Sequence, residues 1–274
     1  NFKVGRLTKQ IKLKTFTFPE GLKQLSNYAF DSSGLEYVDI PKSCTNFGSM
    51  LFFKTNLHIA IFRGITDVNN ALVKNICITT NSTCQSGIFI FGDVDNPVTR
   101  YEASNDSEYM GSIVLITNTD NIEYVNKSTN GTPILIDEVH LSKTFTTHIT
   151  DNEWYVELSN NRLVFGGCID KNIDSYDLSN VAGTNKQATS ITRRIFKSAS
   201  LTSISGTEYL DFIPLLAFYS CGSLSSTVDL SNSRFIGKCA FESCTHAKIT
   251  GLSSKIERVG NTAFKNCYEL VSAN

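Results

Sequence analysis

Ala217-Phe218-Tyr219-Ser220-Cys221, Ala240-Phe241-Glu242-Ser243-Cys244 and Ala263-Phe264-Lys265-Asn266-Cys267 are one pattern written three times, at a step of 23 residues. A period in the twenties with apolar anchors marks stacked coils, because a single coil of that size cannot cover its own apolar face and needs neighbours. Solenoids of this kind present extended faces and usually bind along them.

The phenylalanine anchor can be followed outward from these three copies. Phe196 and Phe165 precede Phe218, and near the N-terminus Ala29-Phe30 and Leu51-Phe52 repeat the pair. A small residue follows each anchor at the third position: Ser33, Thr55, Cys168, Ala199, Cys221, Cys244 and Cys267. An apolar residue comes five or six places after most anchors, as at Leu35, Leu57, Leu201, Leu224, Ala247 and Leu270. The segments leading in agree as well. Phe18, Ile40 and Leu252 each stand 12 residues before Phe30, Phe52 and Phe264. The repeat is therefore written at both ends of the chain, over 1–62 and 161–274.

Between 63 and 160 the Ala-Phe half is mostly missing, while short apolar runs bounded by polar residues persist: Ile88-Phe89-Ile90-Phe91, Ile113-Val114-Leu115-Ile116, Ile134-Leu135-Ile136 and Tyr155-Val156-Glu157-Leu158. Two readings fit: the coil continues through degenerate repeats, or a β-rich segment is inserted. The spacing of the later runs favours the first. The stretch from Asn75 to Gly92 reads as a hairpin, with Asn81-Ser82-Thr83 between two apolar strands.

The pattern resembles the BspA-like, or treponemal-type, leucine-rich repeats of surface proteins. Ile236-Gly237-Lys238-Cys239-Ala240-Phe241 and Val259-Gly260-Asn261-Thr262-Ala263-Phe264 carry the resemblance most specifically. It implies one leucine-rich-repeat solenoid over 1–274, a right-handed β/α coil with a parallel concave β-sheet and degenerate or elaborated central repeats. It also implies a cell-surface or extracellular protein that binds a protein or glycan ligand and is not an enzyme. The alternative is a structural spacer within a larger surface or virion assembly.

Alternation within the strands then divides the residues. Leu35, Val38 and Ile40 point inward, with Tyr37 and Asp39 outward. The outward residues Tyr37, Asp39, Tyr155, Glu157, Asp177, Thr227 and Asp229 are the candidate binding residues of the concave face. Trp154, alternating with Tyr155, belongs in the core.

The eight cysteines follow the repeat rather than a disulfide framework. Cys221, Cys244 and Cys267 hold equivalent positions, joined by Cys168, and Cys44 takes a place filled elsewhere by Ile256. They read as small buried hydrophobes, since ladder neighbours do not meet at disulfide geometry. Cys77 and Cys84 flank the expected hairpin and are the pair placed to bridge.

A net charge of −1 gives no electrostatic case for nucleic acid or an anionic membrane. No apolar run reaches membrane-spanning length. The chain begins at Asn1 without methionine or signal peptide, as a mature or trimmed form would. There is no phosphate-binding loop, nucleophile elbow, H-E-x-x-H or C-x-x-C, so no cofactor, metal or catalytic residue is expected. Asp137-Glu138-Val139-His140 and Asp93-Val94-Asp95-Asn96 are the nearest approaches to a metal site; the second lacks the glycine and closing glutamate of a calcium loop.

Overall fold

The computed structural model describes residues 3–4, 12–77, 87–103, 111–118, 122–126, 139–150, 152–168, 172–252 and 254–270. The chain divides into two compact units, Asn1–Phe145 and Thr146–Asn274.

In the first unit each coil lays one longer strand into a six-stranded ladder. Thr15–Thr17, Tyr37–Ile40, Ile59–Phe62, Ile88–Phe91, Ser112–Ile116 and Val139–Ser142 lie side by side in sequence order. Every pairing is parallel, with Tyr37, Ile59, Ile88 and Ser112 in one register row and Asp39, Ile61, Ile90, Val114 and His140 in another. A second set of short strands forms two three-stranded ladders. One is Lys3–Val4, Gln24–Leu25 and Asn46–Phe47; the other is Asp67–Val68, Arg100–Ala103 and Glu123–Asn126. The strands of 88–142 thus extend the ladder begun by the N-terminal coils.

The expected hairpin over 75–92 does not form. Asn70–Cys77 is an α-helix, and Ile88–Phe91 pairs parallel with Ile59–Phe62. Asn69 caps the helix, its side-chain oxygen accepting from the Leu72 N–H at 2.9 Å, and Val73 and Ile76 fall on one buried side. The cap and the three-residue spacing outweigh the apolar triplet Ile76-Cys77-Ile78 that suggested a strand. Asn81-Ser82-Thr83 and Cys84 lie outside the described residues, as does the Cys77 side chain, and with them the question of a Cys77–Cys84 bridge.

The second unit opens with a four-stranded sheet of Phe145–Ile149, Glu153–Leu158, Arg162–Cys168 and Ser190–Ile191. Glu153–Leu158 and Arg162–Cys168 are antiparallel, joined by a 3-10 turn at Ser159–Asn161. From there the strand pairings among the described residues are parallel. Ser175–Asp177 pairs with Ser203–Ser205, and Thr227–Asp229 with Lys248–Thr250. On another side run Phe212–Ile213, Phe235–Ile236 and Arg258–Val259.

The return segment is where the expected β/α coil is corrected. Among the described residues Asn70–Cys77 is the one α-helix; the Ala-Phe segments are stacked turns. Each has two non-glycine residues in the left-handed region, two places before and two after the phenylalanine: Tyr28 and Ser32, Met50 and Lys54, Arg194 and Ser198, Leu216 and Ser220, Cys239 and Ser243, Thr262 and Asn266. A right-handed helix cannot pass through such positions, each of which costs roughly 1–2 kcal/mol for an L-residue. The turns gain hydrogen bonds that a helix would keep to itself. The N–H groups of Leu216, Phe218 and Ser220 donate to the carbonyls of Lys238, Ala240 and Glu242 in the next coil, at 3.1, 2.8 and 2.8 Å. The same three-bond stitch joins Tyr28, Phe30 and Ser32 to Ser49, Leu51 and Phe53.

The phenylalanines fill the space the turns enclose. Phe196, Phe218, Phe241 and Phe264 stack with ring centroids 5.3, 5.0 and 5.6 Å apart, and Phe30 stacks on Phe52 at 5.7 Å. Each fully buried ring contributes roughly 1.5–3 kcal/mol by burial, with about 0.5–1.5 kcal/mol more from each aromatic pair. That offsets the two left-handed residues. The residue before each anchor supplies the carbonyl that accepts the central bond of the stitch, and it is fully buried at Leu51, Ala217 and Ala240.

The thiols complete the stack. Cys221, Cys244 and Cys267 are free, and each Sγ–H donates to the phenylalanine carbonyl of the preceding coil: Phe196 at 2.8 Å, Phe218 at 2.9 Å and Phe241 at 2.9 Å. Burial pushes the Cys267 thiol up to about 11, and the neighbouring Cys221 thiol, with burial, drives Cys244 higher still. Cys44 is free and buried, its thiol raised to about 11 by desolvation. The side chain of Cys168 lies outside the described residues.

Candidate binding surface

The outward strand positions have opposite character in the two units. In the first, only the early strands keep solvent-accessible polar residues there, since Ser112 and His140 further along the rows are buried. Tyr37 and Asp39 are half-buried, with Leu35, Val38 and Ile40 fully inside. Along the same rows the ladder becomes Ile59 and Ile61, Ile88 and Ile90, then Val114, all buried. Asp39 is moreover engaged: Arg63 clamps it with Nε and Nη2, each 2.7 Å from a different carboxylate oxygen. This two-point bond raises the guanidinium above its ordinary value.

In the second unit the outward rows stay polar. On the strand pair Ser175–Asp177 and Ser203–Ser205 the outward rows are Ser175 with Ser203 and Asp177 with Ser205; on the separate pair Thr227–Asp229 and Lys248–Thr250 they are Thr227 with Lys248 and Asp229 with Thr250. Between them Ile204, Val228 and Ile249 point inward and are buried. Ser175, Asp177, Ser205, Thr227 and Lys248 are exposed. Asp177 accepts from the Ser179 hydroxyl at 2.6 Å, the Ser179 N–H at 3.0 Å and the Ser205 hydroxyl at 2.9 Å. These bonds, the Ser179 hydroxyl first, hold its carboxyl below the usual range. Asp229 accepts from the Ser231 N–H at 2.8 Å, while its own N–H donates to the Thr207 hydroxyl at 2.9 Å. At the Asp177 end the row meets an open cleft of about 410 Å³, lined by Thr150, Glu153, Tyr176, Asp177 and Asn180 among others.

Of the seven outward residues expected from sequence, Asp177 lies on the first of these two ladders and Thr227 and Asp229 on the second. Tyr37 and Asp39 stand apart in the first unit. Tyr155 is corrected: it is buried in the core of the second unit, not outward. Trp154 and Val156 are buried as well but lie outside that core, so the strand is covered on both faces and alternation does not separate inside from outside here. Gly166 makes room for the Trp154 indole, which a Cβ at that position would strike. Glu157 is half-buried and sits on the antiparallel strand rather than on a solenoid coil.

Glu157 belongs instead to a second cavity, of about 330 Å³, lined also by Asn161, Arg162, Asn185, Lys186 and Gln187 over Leu158 and Leu163. Lys186 Nζ donates to Glu157 Oε1 at 2.5 Å, which raises the ammonium above its ordinary value. His148 Nε2 lies 3.2 Å from the same oxygen, and its ring stacks on Tyr155 at 4.5 Å. Arg162 Nη2 donates to Asp211 Oδ2 at 3.1 Å, and the Ser190 hydroxyl holds the other Asp211 oxygen at 2.7 Å. Sequence reading missed these partners. The one signal available was the pair of turn dipeptides Asn161-Arg162 and Asn185-Lys186.

Among the described residues no group of three or more His, Cys, Asp or Glu could hold a metal ion. Asp93 Oδ1 serves its own turn, accepting from the Asp95 and Asn96 N–H groups at 2.9 and 2.7 Å. Asp137 and Glu138 lie outside the described residues, and His140 is fully buried. No helix among the described residues is long and apolar enough to cross a membrane.

The sequence profile of the BspA type leucine rich repeat region matches residues 7–93 and 172–274, in six copies. The chain belongs to that family. The matched stretches are those that carry the stacked phenylalanines. Among solved structures, a leucine-rich repeat protein from Bacteroides ovatus is 19% identical, with 98% of this chain and 68% of that one covered and a TM-score of 0.31. The pneumococcal vaccine antigen PcpA is 14% identical, with 95% of this chain and 62% of that one covered and a TM-score of 0.34. A leucine-rich repeat protein from Eubacterium ventriosum is 12% identical, with 95% and 78% covered and a TM-score of 0.29. This chain thus spans less than two thirds of the length of PcpA. No curated protein matches.

Proposed function

We propose that this BspA-type repeat chain is a non-enzymatic binding protein, exported to the cell surface or secreted, that attaches to a host or microbial surface macromolecule. The polar strand rows of the second unit are the contact face. The observation that carries this reading is that both two-stranded ladders keep exposed Ser, Thr, Asp and Lys outward, with Ile204, Val228 and Ile249 buried between them. Stability does not require that pattern. The rows also run into a cleft at Asp177, where a ligand would find aromatic, acidic and amide groups together.

The test is binding of the purified chain to immobilised extracellular-matrix proteins and to a surface-glycan array. Thr227→Arg and Ser205→Arg are the variants, since both side chains are exposed and neither should disturb folding. Saturable binding weakened at least about tenfold by either variant is the expected result. Binding indifferent to both would overturn the assignment of the face. The spacer reading draws on the first unit, whose outward rows are apolar and buried through Ile59, Ile61, Ile88 and Ile90. Absence of binding to every probe would favour it for the whole chain.

A further inference from the structure

The cavity around Glu157 is separate from the strand rows, and its chemistry is more specific. We propose that it is a subsite for an acidic saccharide unit, a sugar carrying a carboxylate such as a uronic or sialic acid.

Two preformed turns make the cavity. One is the link Ser159–Asn161 between the antiparallel strands, and the other is the loop that ends at Gln187. Each turn presents an asparagine in the left-handed conformation, Asn161 at φ 57° and Asn185 at φ 59°, followed at once by a cation, Arg162 or Lys186. Asparagine tolerates that backbone region better than most residues, so neither turn must rearrange to hold it. The Asn185 N–H donates to Asn180 Oδ1 at 2.7 Å, which fixes the second turn. A site held this way loses little freedom when a ligand arrives.

The lining suits hydroxyls and one carboxylate. The amides of Asn161, Asn185 and Gln187 each offer both donors and an acceptor, as a sugar hydroxyl does. Arg162 has five N–H donors, of which the Asp211 contact uses one, and Lys186 has three, of which Glu157 takes one. The single lining carboxylate is thus already matched by a lysine, while the guanidinium retains donors for a second carboxylate. Beneath them Leu158 and Leu163 give an apolar floor for the C–H face of a sugar ring. At about 330 Å³ the cavity is at the small end of ligand sites, which fits one terminal sugar rather than a peptide segment. A bare inorganic anion would leave the three amides unused.

The experiment is saturation-transfer difference NMR and titration of the whole chain with glucuronic acid, N-acetylneuraminic acid and glucose, with inorganic phosphate as competitor. Gln187→Ala and Asn185→Gly are the primary variants. The second keeps the left-handed backbone, and unchanged thermal melting confirms folding. Arg162→Gln is the third. Expected are signals from an acidic sugar, binding about tenfold weaker for glucose, and about tenfold loss in each variant. Phosphate should compete poorly. Equal signals from glucose and the acids, no signal from either acid, full competition by phosphate or retained binding in the folded Gln187→Ala protein would each overturn the proposal. Failure of the strand-face variants above would leave it standing, because none of them touches this cavity.

Discussion

The strand ladders of the two units are built from the same coil, yet their outward rows differ. The first unit passes from Tyr37 and Asp39 to Ile59 and Ile61 and then to Ile88 and Ile90. The second keeps Ser175, Ser203, Thr227 and Lys248 outside. A parallel strand buried on both faces reads as a continuous apolar run, and one with a wet face alternates. Ile59-Ala60-Ile61-Phe62 and Ile88-Phe89-Ile90-Phe91 are the first kind; Thr227-Val228-Asp229 and Lys248-Ile249-Thr250 are the second. One repeat can therefore serve cohesion in one unit and exposure in the other by changing every second residue of a strand.

What the units share should break most severely. Phe52→Ala and Phe218→Ala each remove a fully buried ring from a stack, and each should lose about 3–5 kcal/mol in urea unfolding. A much smaller loss in the first unit would mean that its stack is not equivalent to that of the second.

The third position after the anchor sharpens the contrast. Thr55 is buried and donates to the carbonyl of its own phenylalanine, Phe52, at 2.8 Å. Cys244 donates to Phe218 in the preceding coil. Each carbonyl keeps a backbone partner, the Thr55 N–H at 3.1 Å and the Cys221 N–H at 3.1 Å, so Thr55→Val and Cys244→Val should each lose about 0.5–1.5 kcal/mol, the worth of one hydrogen bond. Amide exchange in the neighbouring coil should rise for Cys244→Val alone.

A smaller effect is expected in alkali. Cys44 and Cys267 have folded-state values of about 11 against an ordinary 9.0, so the folded chain holds these protons more tightly than the unfolded one. Their contribution is complete below about pH 9 and is lost as pH rises towards 11. Stability measured from pH 8 to 11 should fall, and a Cys44→Ala/Cys267→Ala variant should fall less. Labelling by iodoacetamide at pH 8 should be slow at Cys44 and Cys244 in the folded protein, since burial raises the first thiol, the Cys221 thiol and burial raise the second, and the thiolate is the reactive form.

Much of this was legible in the sequence because it is periodic. The anchors, the inward Leu35, Val38 and Ile40, and the unpaired thiols Cys44, Cys221, Cys244 and Cys267 all follow from the repeat. The left-handed pairs did not, because Ser, Lys, Leu and Cys occupy them where glycine would have announced the conformation. Tyr155 was misplaced because Glu153–Leu158 is covered on both faces, and alternation alone does not say which face is the core. The helix Asn70–Cys77 was missed because its decisive residue, Asn69, caps from outside the apolar run. The cavity at Glu157 was missed because one of its two turns, Ser159–Asn161, joins an antiparallel pair that the repeat does not contain.

The most direct test compares one position from each unit's outward row. Ile90→Lys and Thr227→Lys place the same charge on the two ladders, and thermal unfolding of each variant is measured beside the parent chain. The account expects Ile90→Lys to unfold at a much lower temperature or to fail to fold, because it buries an unpaired ammonium, while Thr227→Lys stays within about 0.5 kcal/mol of the parent. Equal tolerance of both substitutions, or a collapse at Thr227, would contradict it.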